Sequence, residues 1–136
     1  MYKKILISID YAEESSWRKA LPLAVEEARL HQAELSAVTV VPEVVKLPNL
    51  PEGYGEGAAE HVRETVQALF KDQGYDISLN VRQGSVYREI LKEAHAINAD
   101  LIIIASAKGD FPDYPLGPNA ARVVRHANCS VQVVRG

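Results

Sequence analysis

The chain has 136 residues, one domain's usual span of about 100–150, and a length that buries a core without disulfides or metals. It is 47% hydrophobic and 24% charged, which excludes disorder, and 15 Lys/Arg against 18 Asp/Glu leave a net charge of −3, without the basic excess that a nucleic-acid surface needs. No apolar run approaches the roughly 18 residues that span a bilayer, and Met1-Tyr2-Lys3-Lys4-Ile5 carries no signal-peptide pattern, so a soluble, cytoplasmic protein with one domain over 1–136 is expected.

Residues 4–10 form a β-branched apolar run that ends on Asp10. Residues 15–32 have helical spacing, with Trp17, Ala20, Leu21, Ala24, Val25 and Ala28 on one face. Pro22 inside that stretch predicts a kink, or a helix that begins properly only near Pro22. Residues 34–41 read as the second strand, ended by Pro42. Residues 42–57 contain Pro48, Pro51, Gly53, Gly55 and Gly57 and read as a surface loop, either a plain connection, a lid or a contact for a protein partner. A second helix is expected over 58–73, burying Val62, Val66, Leu69 and Phe70 and stopping at Gly74.

Residues 76–83 alternate, with Ile77, Leu79 and Val81 on one side, as in a half-exposed strand near an edge. Gly84 and Ser85 turn into a third helix that buries Val86, Ile90, Ala94 and Ile97. Leu101-Ile102-Ile103-Ile104-Ala105 is unbroken and apolar, the pattern of a strand covered on both faces in a parallel sheet. A loop over 106–117, a helix over 118–127 and a strand over 130–135 complete the chain. Strict alternation of strand and helix predicts a doubly wound α/β fold, five parallel strands with right-handed crossovers and helices on both faces.

Ligands of such sheets sit outside the carboxyl ends of the strands. Asp10 ends the first strand, and its carboxylate is either a ligand acceptor or a cap for the next helix. Gly117-Pro118 opens the last helix with an N-cap glycine and an N1 proline, and the free N–H groups of such a start attract phosphate. The P-loop, dinucleotide and nucleophile-elbow motifs are absent. His31, His61, His95 and His126 are scattered without metal-ligand spacing, so no metal site is expected from protein ligands. Cys129, the single cysteine, is expected to be a small buried apolar side chain.

The opening Tyr2-Lys3-Lys4-Ile5-Leu6-Ile7-Ser8-Ile9-Asp10, the segment 33–41, and the tail from Leu116-Gly117-Pro118 through Arg125-His126-Ala127, Cys129-Ser130-Val131 and Val133-Val134-Arg135 resemble the universal stress protein family, its short bacterial branch, over essentially the whole chain. That resemblance implies the Rossmann-like strand order 3-2-1-4-5, a role in stress resistance, and binding of ATP or another adenine nucleotide, with Mg2+ only alongside the nucleotide. It implies a site of Asp10 near adenine and ribose, Val40 at the adenine edge and Gly84 at the turn after the third strand. Ala105 and Lys108 stand at the two loop-glycine positions, Ser106 lies between them, and Gly117-Pro118 stands at the phosphate-binding Gly-Ser. Asn119 and Ala120 offer free amides beside it, and Lys108 a point charge.

Pro118 departs from the family pattern, because proline supplies neither hydroxyl nor N–H. Each hydrogen bond to a charged group is worth about 1.5–3 kcal/mol, so losing one or two weakens binding roughly 10-fold to several thousand-fold. The alternative expectation is therefore a nucleotide-independent dimeric interaction protein that has lost the phosphate site. No catalytic residue is assigned. Asp110 and Asp113 are the acids placed by location for at most slow ATP hydrolysis. The resemblance also implies a homodimer through the last strand, where Val131, Val133 and Val134 lie at an expected sheet edge. Neither a nucleic-acid nor a membrane partner is expected.

Overall fold

Strand β1 (Lys4–Ser8) is the axis of the sheet, and its Ile5, Leu6 and Ile7 are completely buried. In this computed structural model residues 1–41, 54–106 and 116–135 are described, with the side chains of 54–58 excepted. Parallel strands β2 (Glu34–Val41) and β4 (Leu101–Ala105) flank β1, with Ile5 level with Leu35 on one side and Leu101 on the other. Outside them lie β3 (Ile77–Gln83) and β5 (Ser130–Val134), giving the order β3-β2-β1-β4-β5. This is the order that the family resemblance implies.

Alternation along β1 feeds two cores. Ile5, Ile7 and Ile9 pack with Leu21, Ala24, Val25 and Ala28 of α1 (Ala20–His31) and with Val62 and Val66 of α2 (Tyr54–Phe70). Leu6 packs on the other face with Val38, Ile102 and Ile104, under Ile90 and Ala94 of α3 (Val86–Ile97) and Ala120 and Val123 of α4 (Pro118–His126). Each fully buried Ile, Leu or Val contributes roughly 1.5–3 kcal/mol, so both helical layers are anchored through one strand.

The first helix starts near Pro22, as the proline predicts. Glu14–Ser16 form a separate 3-10 turn, and α1 begins at Ala20 with Pro22 as its third residue. The N–H that proline lacks is one that a first helical turn leaves unbonded, so no kink is needed.

Helix α2 corrects the sequence reading at both ends. It runs Tyr54–Phe70 rather than 58–73, so 54–57 are helical and not loop. Gly55 and Gly57 each cost about 1 kcal/mol relative to Ala, less than the burial of Val62 and Val66 returns. Gly74, with φ +66°, turns the chain after the helix instead of ending it directly. The remaining loop positions, 42–53, lie outside the described residues.

Strand β5 is an edge strand, but its valines are not alike. Val134 is buried in the chain's own core with residues of α1, while Val131 and Val133 are half-buried on the opposite face. Cys129 is likewise half-buried rather than buried.

Helices α1 and α3 end in the same way. Gln32 (φ 54°) and Asn98 (φ 56°) take the left-handed conformation, and the next amides, of Ala33 and Ala99, donate back to Ala28 O (2.8 Å) and Ala94 O (2.9 Å). These closures satisfy the last helical carbonyls and aim β2 and β4 at either side of β1. The Asp100 carboxylate then accepts the amides of Lys3 (2.8 Å) and Lys4 (3.1 Å), which pins the start of β1 to the start of β4.

Candidate functional site

All five strands point their carboxyl ends the same way, and the turns that leave them surround one cleft. After β1 the chain makes a tight loop around Asp10. The Asp10 Oδ1 accepts the Ala12 amide at 3.0 Å, and the Asp10 amide donates to Ser16 Oγ at 2.9 Å. The Ser16 hydroxyl returns a bond to Asp10 O at 2.9 Å. The carboxylate therefore holds its own turn and is not a helix cap, since α1 is preceded by Lys19 with no side-chain cap. Asp10 remains exposed at the cleft.

On the β3 side, Gly84 has φ +134°, a conformation open to glycine, and donates its amide to Val41 O at 3.1 Å. Ser85 then begins α3, whose first helical bond is Glu89 N–H to Ser85 O at 2.9 Å. Across the cleft Gly117 begins α4, Pro118 takes the first helical position, and the first bond is Ala121 N–H to Gly117 O at 2.9 Å. The amides of Asn119 and Ala120 are left without intrahelical acceptors. Two helix N-termini thus face one space, each with its partial positive charge.

That space is about 700 Å³ and is lined by Asp10, Val40, Gly84, Ala105, Ser106, Gly117, Asn119 and Ala120, all of them residues that the sequence places at the site. Lys108 lies outside the described residues. Pro118 lines it beside Gly117, and the structure adds Ser8, Ile9, Tyr11, Ala12, Glu13, Ser15, Ser16, Ser85, Val86, Ile90 and Ile104. Ser8, Val40, Ile90, Ile104 and Ala120 make a largely apolar floor. Asp10 and Glu13 are the charged side chains among the described lining residues. The signal for the added loop residues is Asp10 itself, because a carboxylate at a strand end organises the turn that follows it.

The pattern of the universal stress protein family matches residues 1–135. The chain belongs to the universal stress protein family. Universal stress protein G of Shigella flexneri is similar to it, 31% identical over 99% of this chain and all of its own length. Among solved structures, a universal stress protein in complex with cAMP superposes with a TM-score of 0.67 at 20% identity, covering 98% of this chain and 97% of that one. The universal stress protein from Archaeoglobus fulgidus in complex with dAMP gives 0.65 at 17% identity, covering 98% of each chain.

Beside the cleft, on the α3 side of this universal stress protein, runs an ionic ladder that the sequence did not reveal. Arg82 reaches Glu89 Oε1 (3.1 Å) and Glu93 Oε1 (2.7 Å), Asn80 donates to Glu93 Oε1 (2.8 Å), and Lys92 meets Glu89 Oε2 (3.1 Å). The ladder fixes α3 against β3 and so sets the position of the α3 N-terminus. At the far pole, a smaller pocket of about 250 Å³ lies between the ends of α3 and α4, lined by Leu91, His95, His126 and Cys129 among others. Burial, followed by the nearby Asp100 charge, pushes the Cys129 thiol up, away from the reactive thiolate. Among the described residues no three His, Cys, Asp or Glu side chains are grouped to hold a metal, and no helix is long and apolar enough to cross a membrane.

Proposed function

We propose that the cleft binds an adenine nucleotide and that binding, rather than turnover, is its role in stress response. The observation that carries the reading is the convergence of the strand-end residues and two helix N-termini on one space of about 700 Å³, within the usual range for a small-ligand site. The cAMP and dAMP complexes of structurally similar universal stress proteins support it.

The charge inventory favours a nucleotide with few phosphates over ATP. Asp10 and Glu13 line the cleft, and the sequence of 107–115 carries one lysine against two aspartates. Pro118 removes an amide and a hydroxyl from the phosphate end, leaving Asn119 and Ala120. Mg2+ enters only with a polyphosphate, which it partly neutralises. Hydrolysis is not proposed, because the Asp10 carboxylate is engaged by the Ala12 amide and no base aimed at a phosphate stands among the described residues.

Calorimetric titration of nucleotide-stripped protein with AMP, and with ATP and Mg2+, tests the reading. Saturable one-site binding supports it. No heat and no thermal stabilisation up to millimolar nucleotide overturns it. That result would favour the second reading, a dimeric interaction protein independent of nucleotide, for which Pro118 at the head of α4 is the specific argument.

In either reading we propose a homodimer through β5. The outer edge of this strand has no paired strand among the described residues, and an open edge invites a second copy.

A further inference from the structure

We propose that the seam between α3 and α4 docks a short segment of a partner protein, one that carries acidic residues beside a single bulky apolar side chain. This surface lies outside the cleft, so its role is independent of the nucleotide. On α3, Tyr87, Leu91 and His95 follow one another at four-residue spacing and share a face. Arg122 and His126 do the same on α4. The Arg122 guanidinium lies 5.1 Å from the centre of the Tyr87 ring, and the His126 ring 6.3 Å from it. Arg88 donates its Nε–H to the Tyr87 hydroxyl at 3.0 Å. One half-buried ring thus gathers guanidinium groups from both helices.

This charge is not neutralised among the described residues. Arg18, Arg63 and Arg82 each meet a glutamate there, but Arg88, Arg122 and Arg125 have no carboxylate partner. The acids of α3, Glu89 and Glu93, are turned to Arg82 of β3, and residues 116–135 contain no acid in a chain whose net charge is −3. The bond from Arg88, opposed by burial and helped by the charge of Arg122, holds the Tyr87 hydroxyl below its ordinary pKa. At its other end the seam opens into the far-pole pocket, where Leu91, His95 and His126 stand over the buried Ile102 of β4. Its volume of about 250 Å³ falls below the roughly 300–1,000 Å³ of small-ligand sites and suits one leucine or aromatic side chain. Tyr87 to His95 spans about 12 Å of helix, a length that about four extended residues also cover. Acids paired with Arg88 and Arg122 and an anchor in the pocket therefore fit within one short segment. The unpaired guanidinium groups are too few to track a nucleic-acid backbone. Ile102 lies one strand in from β5, so pairing through the β5 edge leaves the seam open.

The test titrates the chain with a synthetic acidic peptide, aspartates followed by a short glycine spacer and a phenylalanine, and reads amide NMR shifts. Saturable shifts along Tyr87, Leu91 and His126 are expected. A copy of the peptide with alanine for the phenylalanine, and one with asparagines for the aspartates, should each bind about tenfold more weakly. Arg122→Gln should weaken binding about three- to tenfold with the rest of the spectrum unchanged, while Arg63→Gln, on α2, should leave binding as it is. Absence of saturable shifts overturns the inference, as do shifts confined to other surfaces. Equal binding of the alanine copy removes the pocket from the contact and overturns it as well. An oligothymidylate that binds as tightly as the peptide overturns it in favour of a general polyanion site.

Discussion

Gly84 lies so close to Glu89 that a Cβ built at position 84 would come within 3.3 Å of the Glu89 Cγ. Glu89 cannot easily retreat, because Arg82 holds one of its oxygens and Lys92 the other, each at 3.1 Å. The φ of +134° at Gly84 is itself strained for any L side chain. Gly84→Ala is therefore expected to cost about 1–3 kcal/mol, read from the denaturant midpoint. An unchanged midpoint would show that the turn relaxes freely.

Glu89 also sets a pH dependence. Its hydrogen bond to Lys92, helped by Arg82 and opposed by burial, holds its carboxyl below the usual carboxylate range. A depressed carboxylate adds stability that is fully present above the unfolded value of about 4.3 and is lost as pH falls through the lower folded value. Glu89→Gln should lower stability at neutral pH and flatten its decline below about pH 5. Parallel acid profiles for the two proteins would remove Glu89 from the account.

Restoring what Pro118 lacks should change the ligand preference. Pro118→Ser returns an amide and a hydroxyl to the head of α4, and one hydrogen bond to a phosphate is worth about 1.5–3 kcal/mol. ATP binding should tighten about tenfold or more, AMP less, and adenosine not at all. A uniform effect on all three ligands would place the phosphates elsewhere.

The open edge of β5 gives a prediction about assembly. Light scattering at micromolar concentration should return the mass of two chains. A single-chain mass would show that the edge stays unpaired.

Much of this architecture is legible in the sequence because parallel strands are apolar on both faces. Glu34–Val41 and Leu101–Ala105 have the bounds that their apolar runs suggest. Helix α2 was harder to place, since Gly55 and Gly57 look like loop residues until the burial of Val62 and Val66 outweighs their local cost. The residues at strand ends are legible for a topological reason, as any doubly wound sheet opens there. The alternative roles of Asp10 needed the structure too, since only the bonds to Ala12 and Ser16 show that it builds a turn. Half-burial of Cys129 depends on how α3 and α4 end relative to β5, which local pattern does not encode.

The bond between the Lys3 amide and Asp100 joins residues 97 positions apart, and it marks a problem of timing. The strand at the middle of the sheet leaves the ribosome well before its β4 neighbour. At about 5–20 residues per second, Ile5, Leu6 and Ile7 wait roughly 5–20 s with one side bare. Pairing with β2 closes the other side early and leaves a half-built sheet with an adhesive flank. The chain thus passes, each time it is made, through a stage in which its central strand is paired on one side only.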